Sequence, residues 1–161
     1  MIRAITVRRM EAGDIADVME TAASLSDAPH WSEAAYLRAI DADSSPLRIA
    51  LIAEGESGRD FALLGFVVAS MVGPAAELES IAVAGQAQRR GVGRELMTAL
   101  LGWLKEARAA TVMLEVRASN RGAVEFYGTH GFRETGRRPK YYTNPQDDAI
   151  LMKFDLKVEG G

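Results

Sequence analysis

Val83-Ala84-Gly85-Gln86-Ala87-Gln88-Arg89-Arg90-Gly91-Val92-Gly93-Arg94 lies between a run that alternates like a strand and a run that repeats like a helix. Upstream, residues 77–83 (ELESIAV) read as β. Downstream, Val92, Leu96, Leu100, Leu104 and Ala107 fall on one stripe at helical spacing, with Arg94, Thr98, Lys105 and Arg108 elsewhere, which predicts a helix over 92–109. A loop in this position delivers several unpaired backbone N–H groups to one spot. The helix dipole adds partial positive charge there. Gly91 and Gly93 carry no Cβ, so a phosphate can approach those amides, and Arg89, Arg90 and Arg94 add full charges. The stretch therefore reads as a diphosphate cradle, against the plainer reading of a helix start that happens to carry glycines and surface arginines. Two other nucleotide motifs are excluded. No Gly-Lys-Ser/Thr ending is present, and the third position after Gly93 is Leu96, not glycine.

Working outward, residues 6–9 form a short β-like segment, and the start of the chain, lacking a long apolar stretch, reads as the first strand and not a secretory leader. Ile15, Val18, Met19 and Ala22 fit a helix, and Ser32 is a plausible N-cap for a second through Ala35, Leu37 and Ile40, ended by Pro46. Segments 47–53, 61–72 and 77–83 read as strands, with turns at Gly55-Glu56-Ser57-Gly58 and Gly73-Pro74. After the long helix come strand 111–117, a short helix over 120–129, and strands 132–142 and 150–156 joined at Asn144-Pro145. The order β, α, α, three strands, α, β, α, β, β implies a mixed sheet with helices on its faces, α/β or α+β. One domain spans 1–161, with its core over about 4–156. Gly160-Gly161 reads as a loose tail.

Composition narrows the function classes. Apolar residues make up 48% and charged residues 25%, which is ordinary for a globular protein. No apolar run reaches the roughly 18–20 residues of a membrane span. With no cysteine there is no disulfide, thiol nucleophile or thiolate metal site, and a reducing cytoplasm is the expected setting. His30 and His130 lack ligand spacing, so no metal is expected. A net charge of -3 gives no general attraction to nucleic acid, so any anion site must be local. The sequence carries no signature of oligomeric state.

Gln88-Arg89-Arg90-Gly91-Val92-Gly93 resembles the Q/R-x-x-G-x-G/A signature of the GNAT acetyltransferases. A second set of motifs resembles the ribosomal-protein-alanine N-acetyltransferases within that superfamily. These are Leu114-Glu115-Val116-Arg117-Ala118-Ser119-Asn120, Tyr127 followed by Gly131-Phe132, Arg138 with Tyr141-Tyr142, Asp148-Ala149 with Met152, and Trp31-Ser32-Glu33. The resemblance covers about residues 4–156, most specifically 79–142. It implies the GNAT fold: a mixed, mostly antiparallel sheet of six to seven strands flanked by about four helices. It implies acetyl-CoA as co-substrate, its pantetheine arm paired with Ile81-Ala82-Val83 and its diphosphate held by Arg89, Arg90, Gly91, Val92, Gly93 and Arg94. It also assigns Asn120 to the pantetheine chain, beside a helix N-cap role. Gly122, Thr129 and His130 depart from the subgroup's usual residues without touching the expected chemistry.

The residues are compatible with that chemistry. In strand 111–117, Val112, Leu114 and Val116 share one face and Met113, Glu115 and Arg117 the other. A carboxylate in mid-strand is costly unless solvated, paired or functional. The resemblance makes Glu115 the general base; the alternative is a same-face ion pair with Arg117. Glu77, on a strand where many GNAT enzymes place their base and sharing a face with Glu79, is the rival base. The resemblance makes Tyr127 the acid that protonates the departing thiolate, and a phenol with pKa about 10 is protonated at neutral pH. The alternative is a core aromatic beside Phe126 and Phe132. Trp31, Tyr141 and Tyr142 are candidates for lining an acceptor groove, with plain packing equally open. A backbone N–H on strand 77–83, with Val83 the candidate, would polarise the thioester carbonyl.

An α-amine with pKa near 8 is easier to deprotonate than lysine at about 10.4, by roughly 3 kcal/mol. The expected acceptor is thus a protein N-terminus, and by resemblance the N-terminal alanine of a small-subunit ribosomal protein. The alternatives are a small-molecule amine as acceptor and a non-catalytic acyl-CoA-binding module.

Overall fold

Apolar periodicity decides which side of each element is buried. In the computed structural model, which describes residues 4–25, 28–57 and 60–156, the chain forms β1 (Ile5–Arg9), α1 (Ile15–Ala23), α2 (Glu33–Ile40), β2 (Leu47–Ser57), β3 (Asp60–Val72), β4 (Ala75–Val83), α3 (Val92–Glu106), β5 (Thr111–Arg117), α4 (Arg121–Thr129), β6 (Arg133–Tyr142) and β7 (Asp147–Asp155). The strands make one seven-stranded sheet in the order β1-β2-β3-β4-β5-β7-β6. Every pairing is antiparallel except β4 with β5. The α/β architecture, strand number and element order are those expected from the sequence. The loose tail expected at Gly160-Gly161 lies outside the described residues.

One face of the sheet is sealed by α3 and α4. Val92, Leu96, Met97, Leu100 and Leu104 pack on Leu51, Val67, Leu78, Val112 and Leu114. The other face is covered over β2–β4 by α1 and α2, through Ile15, Val18, Ala22, Tyr36 and Ala39 against Ile52, Phe66 and Val68. Ser32 caps α2 as expected, its hydroxyl accepting from Ala35 N at 3.1 Å. The contacts of α1 and α2 run to β2, β3 and β4. Over β5 the same sheet face is open, and Met113 is exposed there.

Several boundaries differ from the sequence reading. The turn expected at 55–58 is a strand through Ser57, because Gly55 pairs with Ile5 on one side and Ala62 on the other; Gly58 lies outside the described residues. Pairing on both edges outweighs local turn composition. The helix expected to reach 109 ends at Glu106, where Arg108 turns left-handed (φ 67°) and Ala109 N donates to Leu104 O. The final strand begins at Asp147 and not at 150, pairing with Tyr142 across the short turn.

Two irregularities shape the site. Glu79 is an extra residue in β4, since Val68 pairs with Ser80 and Ala69 with Leu78. And β4 pairs with β5 only from Ala75/Thr111 to Glu77/Met113, so the two parallel strands part just before that bulge. A bulge increases local twist. Beyond Glu77 the edge of β4 that faces β5 runs bare to the start of α3.

Candidate active site

The loop after β4 turns tightly. A 3-10 turn at Gly85–Ala87 precedes two left-handed residues, Arg89 (φ 62°) and Gly91 (φ 86°), and Gly91 is the N-cap of α3 with no side-chain cap. The first intrahelical donor to Gly91 O is Glu95 N at 3.0 Å, so the amides of 92–94 have no acceptor within the helix. Left-handed turns of this kind gather N–H groups into anion-binding concavities. The Gln88 side chain is not part of the concavity; its Nε2 donates to Val83 O at 3.1 Å and ties the loop to the end of β4. The two glycines have different reasons. Gly91 supplies a left-handed φ. Gly93 allows close approach: a Cβ there would sit 3.2 Å from Cε1 and Cζ of Phe126 on α4. For Gly93 the structural reason is helix contact and not only phosphate access.

On the open face, the bulge turns Glu79 and Ser80 to the same side as Glu77, whereas the sequence alternation had put Ser80 opposite Glu79. Glu79 is taken up by Arg48 of β2, Nε to Oε1 at 2.9 Å, both side chains being largely buried. Glu77 has no ion pair within 4 Å among the described residues; burial, then the neighbouring Glu79 and Glu115, push its carboxyl above the usual range, opposed by Arg48. Glu115 stands across the parted strands from Glu77, its side chain 30% exposed, with Arg138 Nε at 3.4 Å. The pairing with Arg117 considered from sequence is not formed. Arg117 instead donates to Pro145 O (3.0 Å) and Thr143 O (3.3 Å) and lies 4.4 Å over the Tyr142 ring.

Tyr127 approaches from the opposite side, on α4. Its ring is buried beside Phe126 (5.6 Å) and Phe132 (5.9 Å), and burial, with Tyr142 adding, pushes its phenol up to about 12. Tyr142 is pushed up by burial and then by Glu115. Tyr142 thus lies within electrostatic reach of both Glu115 and Tyr127. Asn120 caps α4, its Oδ1 accepting from Ala123 N at 3.2 Å. Of the three aromatics named from sequence, Trp31 lies tilted against Tyr36 at 5.4 Å, partly buried on the α1–α2 core, while Tyr141 and Tyr142 meet edge-on at 5.1 Å, Tyr141 half exposed. So the structure gathers Glu77, Glu115 and Tyr142 about the opening between the parted strands, keeps Tyr127 buried on the other face with Tyr142 as its titratable neighbour, and packs Trp31 against the α1–α2 core. A depression of about 580 Å³ between α4 and the β6–β7 pair is lined by Ser119, Arg121, Glu125, Glu134, Arg137 and Asp147.

The sequence profile of the acetyltransferase (GNAT) family matches residues 15–132. The chain belongs to the GNAT acetyltransferase family. Among GNAT proteins of known role it is similar to the ribosomal protein bS18-alanine N-acetyltransferase of Escherichia coli K12, at 38% identity over 98 residues, 60% of this chain and 66% of that protein. It is also similar to a putative bS18-alanine N-acetyltransferase of Bacillus subtilis, at 30% identity over 91% of this chain and 92% of the relative. The crystal structure of the Escherichia coli ribosomal-protein-S18-alanine N-acetyltransferase superposes with a TM-score of 0.80, at 28% identity, covering 98% of this chain and 97% of that one.

Within this GNAT frame, sequence reasoning missed Gln88 as a loop tie, Arg48 as the partner of Glu79, and Arg138 as the partner of Glu115. Each joins residues from different strands or loops, and no spacing in the sequence announces them. Among the described residues no three His, Asp or Glu side chains come together as a metal set, and no helix is long and apolar enough to cross a membrane.

Proposed function

We propose that the chain transfers the acetyl group of acetyl-CoA to the α-amine of a protein N-terminus, and that the acceptor is the N-terminal alanine of a small-subunit ribosomal protein. The observation that carries this reading is the bare β4 edge, open beyond Glu77/Met113 and running into the free amides of 92–94. The extended pantetheine arm pairs with Ile81, Ala82 and Val83 as a surrogate strand, and the diphosphate seats on residues 89–94. That places the thioester between Glu115 on the open face and Tyr127 on the covered one. The similarity to bS18-alanine N-acetyltransferases supports the choice of acceptor. The setting is the cytoplasm, where both acetyl-CoA and nascent ribosomal proteins are found.

The steps follow from the residues. The neutral amine attacks the thioester carbonyl, forming the N–C bond. Glu115 takes the amine's proton, directly or through a water. A β4 amide, Val83 N–H being the candidate, stabilises the oxyanion. As the C–S bond breaks, the Tyr127 hydroxyl donates to the sulfur. A phenol near 12 is fully protonated at neutral pH, but it is a weaker acid than a free thiol at about 8.5. Complete transfer is therefore favourable only while the thiolate shares the same dry surroundings, where desolvation raises its own pKa. Tyr127 acts first as a hydrogen-bond donor to developing charge.

Acetylation of a panel of N-terminal peptides, compared with small amines, tests the reading. Glu115→Gln and Tyr127→Phe are expected to lower kcat by about 10²–10⁴-fold. Full rates in both variants at every pH would remove these roles, and turnover of small amines alone would remove the peptide acceptor.

A further inference from the structure

Three consecutive residues after Val116 hold the β6–β7 turn. Arg117 forks its guanidinium onto the carbonyls of Thr143 (Nη2, 3.3 Å) and Pro145 (Nη1, 3.0 Å). Ala118 N donates to Asp148 O at 2.9 Å. Ser119 donates from both its N (3.1 Å) and its Oγ (2.6 Å) to Asp147 Oδ2. The contacts of Arg117 and Ser119 cross 26 to 28 residues of chain, so they tie to the end of β5 a turn that Tyr142/Asp147 pairing and the Lys140 N–Asp148 Oδ1 bond (2.9 Å) close locally. The guanidinium also covers the Tyr142 ring at 4.4 Å, the face-on approach of a cation to an aromatic quadrupole. Tyr142 in turn stands edge-on to Tyr141 at 5.1 Å, and its phenol feels the charge of Glu115. Arg117 is therefore engaged by the turn, and among the described residues the ion-pair partner of Glu115 is the exposed Arg138 at 3.4 Å.

We propose that Arg117 is a positioning residue that latches the β6–β7 turn, and with it the Tyr141–Tyr142 pair, as the wall of the acceptor groove. This rests on the peptide acceptor proposed above. The planar guanidinium meets the two carbonyls from two separate nitrogens in a fixed fork, a geometry that the single nitrogen of a lysine does not reproduce. The latch acts on acceptor binding and not on the coenzyme, whose cradle lies at the start of α3.

Steady-state kinetics with an Ala-starting peptide and acetyl-CoA, for wild type, Arg117→Ala, Arg117→Lys and Tyr142→Leu, tests the latch. Arg117→Ala should raise the acceptor KM by about tenfold, the worth of two charged hydrogen bonds and a ring contact less their solvent replacements. The acetyl-CoA KM should stay within about twofold, and the acid limb of kcat/KM should not move. Arg117→Lys, keeping the charge and one carbonyl, should recover part of the acceptor KM. Tyr142→Leu, which leaves β5 untouched, should reproduce the KM effect even if Arg117→Ala folds poorly. Equal acceptor KM in wild type, Arg117→Lys and Tyr142→Leu overturns the latch. So does an acid limb that shifts in Arg117→Ala and returns fully in Arg117→Lys, which would make Arg117 a charge acting on Glu115. A wild type active on small amines and inert on all peptides overturns the acceptor reading itself, and the latch with it.

Discussion

Replacing Gly93 by alanine separates phosphate access from helix contact as the reason for that glycine. The added Cβ would lie 3.2 Å from two carbons of the Phe126 ring and 3.8 Å from Val83 Cγ2. Unstrained carbon contacts sit at about 3.5–4.0 Å, so the ring must withdraw by a few tenths of an ångström. Its movement is limited by His130, tilted against it at 4.7 Å, and by Tyr127, edge-on at 5.6 Å. Overpacking of this kind costs about 1–3 kcal/mol. Alanine in place of glycine inside a helix returns about 1 kcal/mol. The net is a loss of about 1 kcal/mol, which for a domain of this size lowers Tm by roughly 2–4 °C. Gly102, exposed in the same helix with nothing within 4 Å of a built Cβ, is the control. Gly102→Ala should raise Tm by a similar amount. Thermal melts of the ligand-free protein at one concentration and pH compare the two. Because Phe126 abuts Tyr127, Gly93→Ala should also lower kcat. A Gly93→Ala protein that gains stability as Gly102→Ala does would refute the contact argument and return the glycine to phosphate access alone.

With Tyr127 pushed up to about 12, its phenol stays protonated through the working range, so kcat/KM should rise as the acceptor amine deprotonates near pH 8 and then hold level to about pH 10. A fall between pH 8 and 10 that vanishes in Tyr127→Phe would contradict this. Asp14 is held below the usual carboxylate range chiefly by its hydrogen bonds from Arg8. A depressed carboxylate contributes stability above about pH 4 and loses it as pH falls through its folded value, so Asp14→Asn should be less stable than wild type at pH 7 in urea melts, with the gap closing below about pH 4. Arg48→Ala strands the largely buried Glu79 and should cost about 1–3 kcal/mol, whereas Arg48→Ala with Glu79→Ala should cost less than the sum of the single changes. Additive single effects in that cycle would mean that the pair contributes nothing.

Much of the fold was written in periodicity. The α3 stripe, the alternation of β5 and the caps at Ser32 and Asn120 are local, and the structure keeps all of them. What failed was boundary placement where tertiary pairing competes with local composition. Gly55-Glu56-Ser57 has the residues of a turn, yet β3 pairs with all three and β1 also with Gly55, so the strand continues through them. The long helix stopped early because a left-handed arginine at 108, a conformation no propensity scale favours, returned the chain to β5. A helical stripe that runs on through Ala107 carries no sign of that turn.

The site was legible to the extent that its parts are contiguous. The cradle from Gln88 to Arg94 is one loop, and its glycines and arginines can be read in place. The opening is different, because it depends on a bulge that leaves the pattern of β4 undisturbed. Residues 76, 78, 80 and 82 are all buried, an unbroken period of two. Yet Ala76 and Leu78 belong to the core under α3, and Ala82 to the core under α1 and α2. The extra residue at Glu79 moves the strand's inward side from one face of the sheet to the other, and both faces are apolar there, so the sequence keeps its rhythm while the geometry flips. The same bulge coincides with the loss of pairing to β5 after Glu77. The bare edge beyond Glu77 and the turning of Ser80 to the same face as Glu77 and Glu79 go with that one inserted residue. A deletion of Glu79 that restored regular pairing would therefore close the opening and remove acetyl-CoA binding while leaving both helical layers in place, an outcome that calorimetry and circular dichroism on one protein sample can read together.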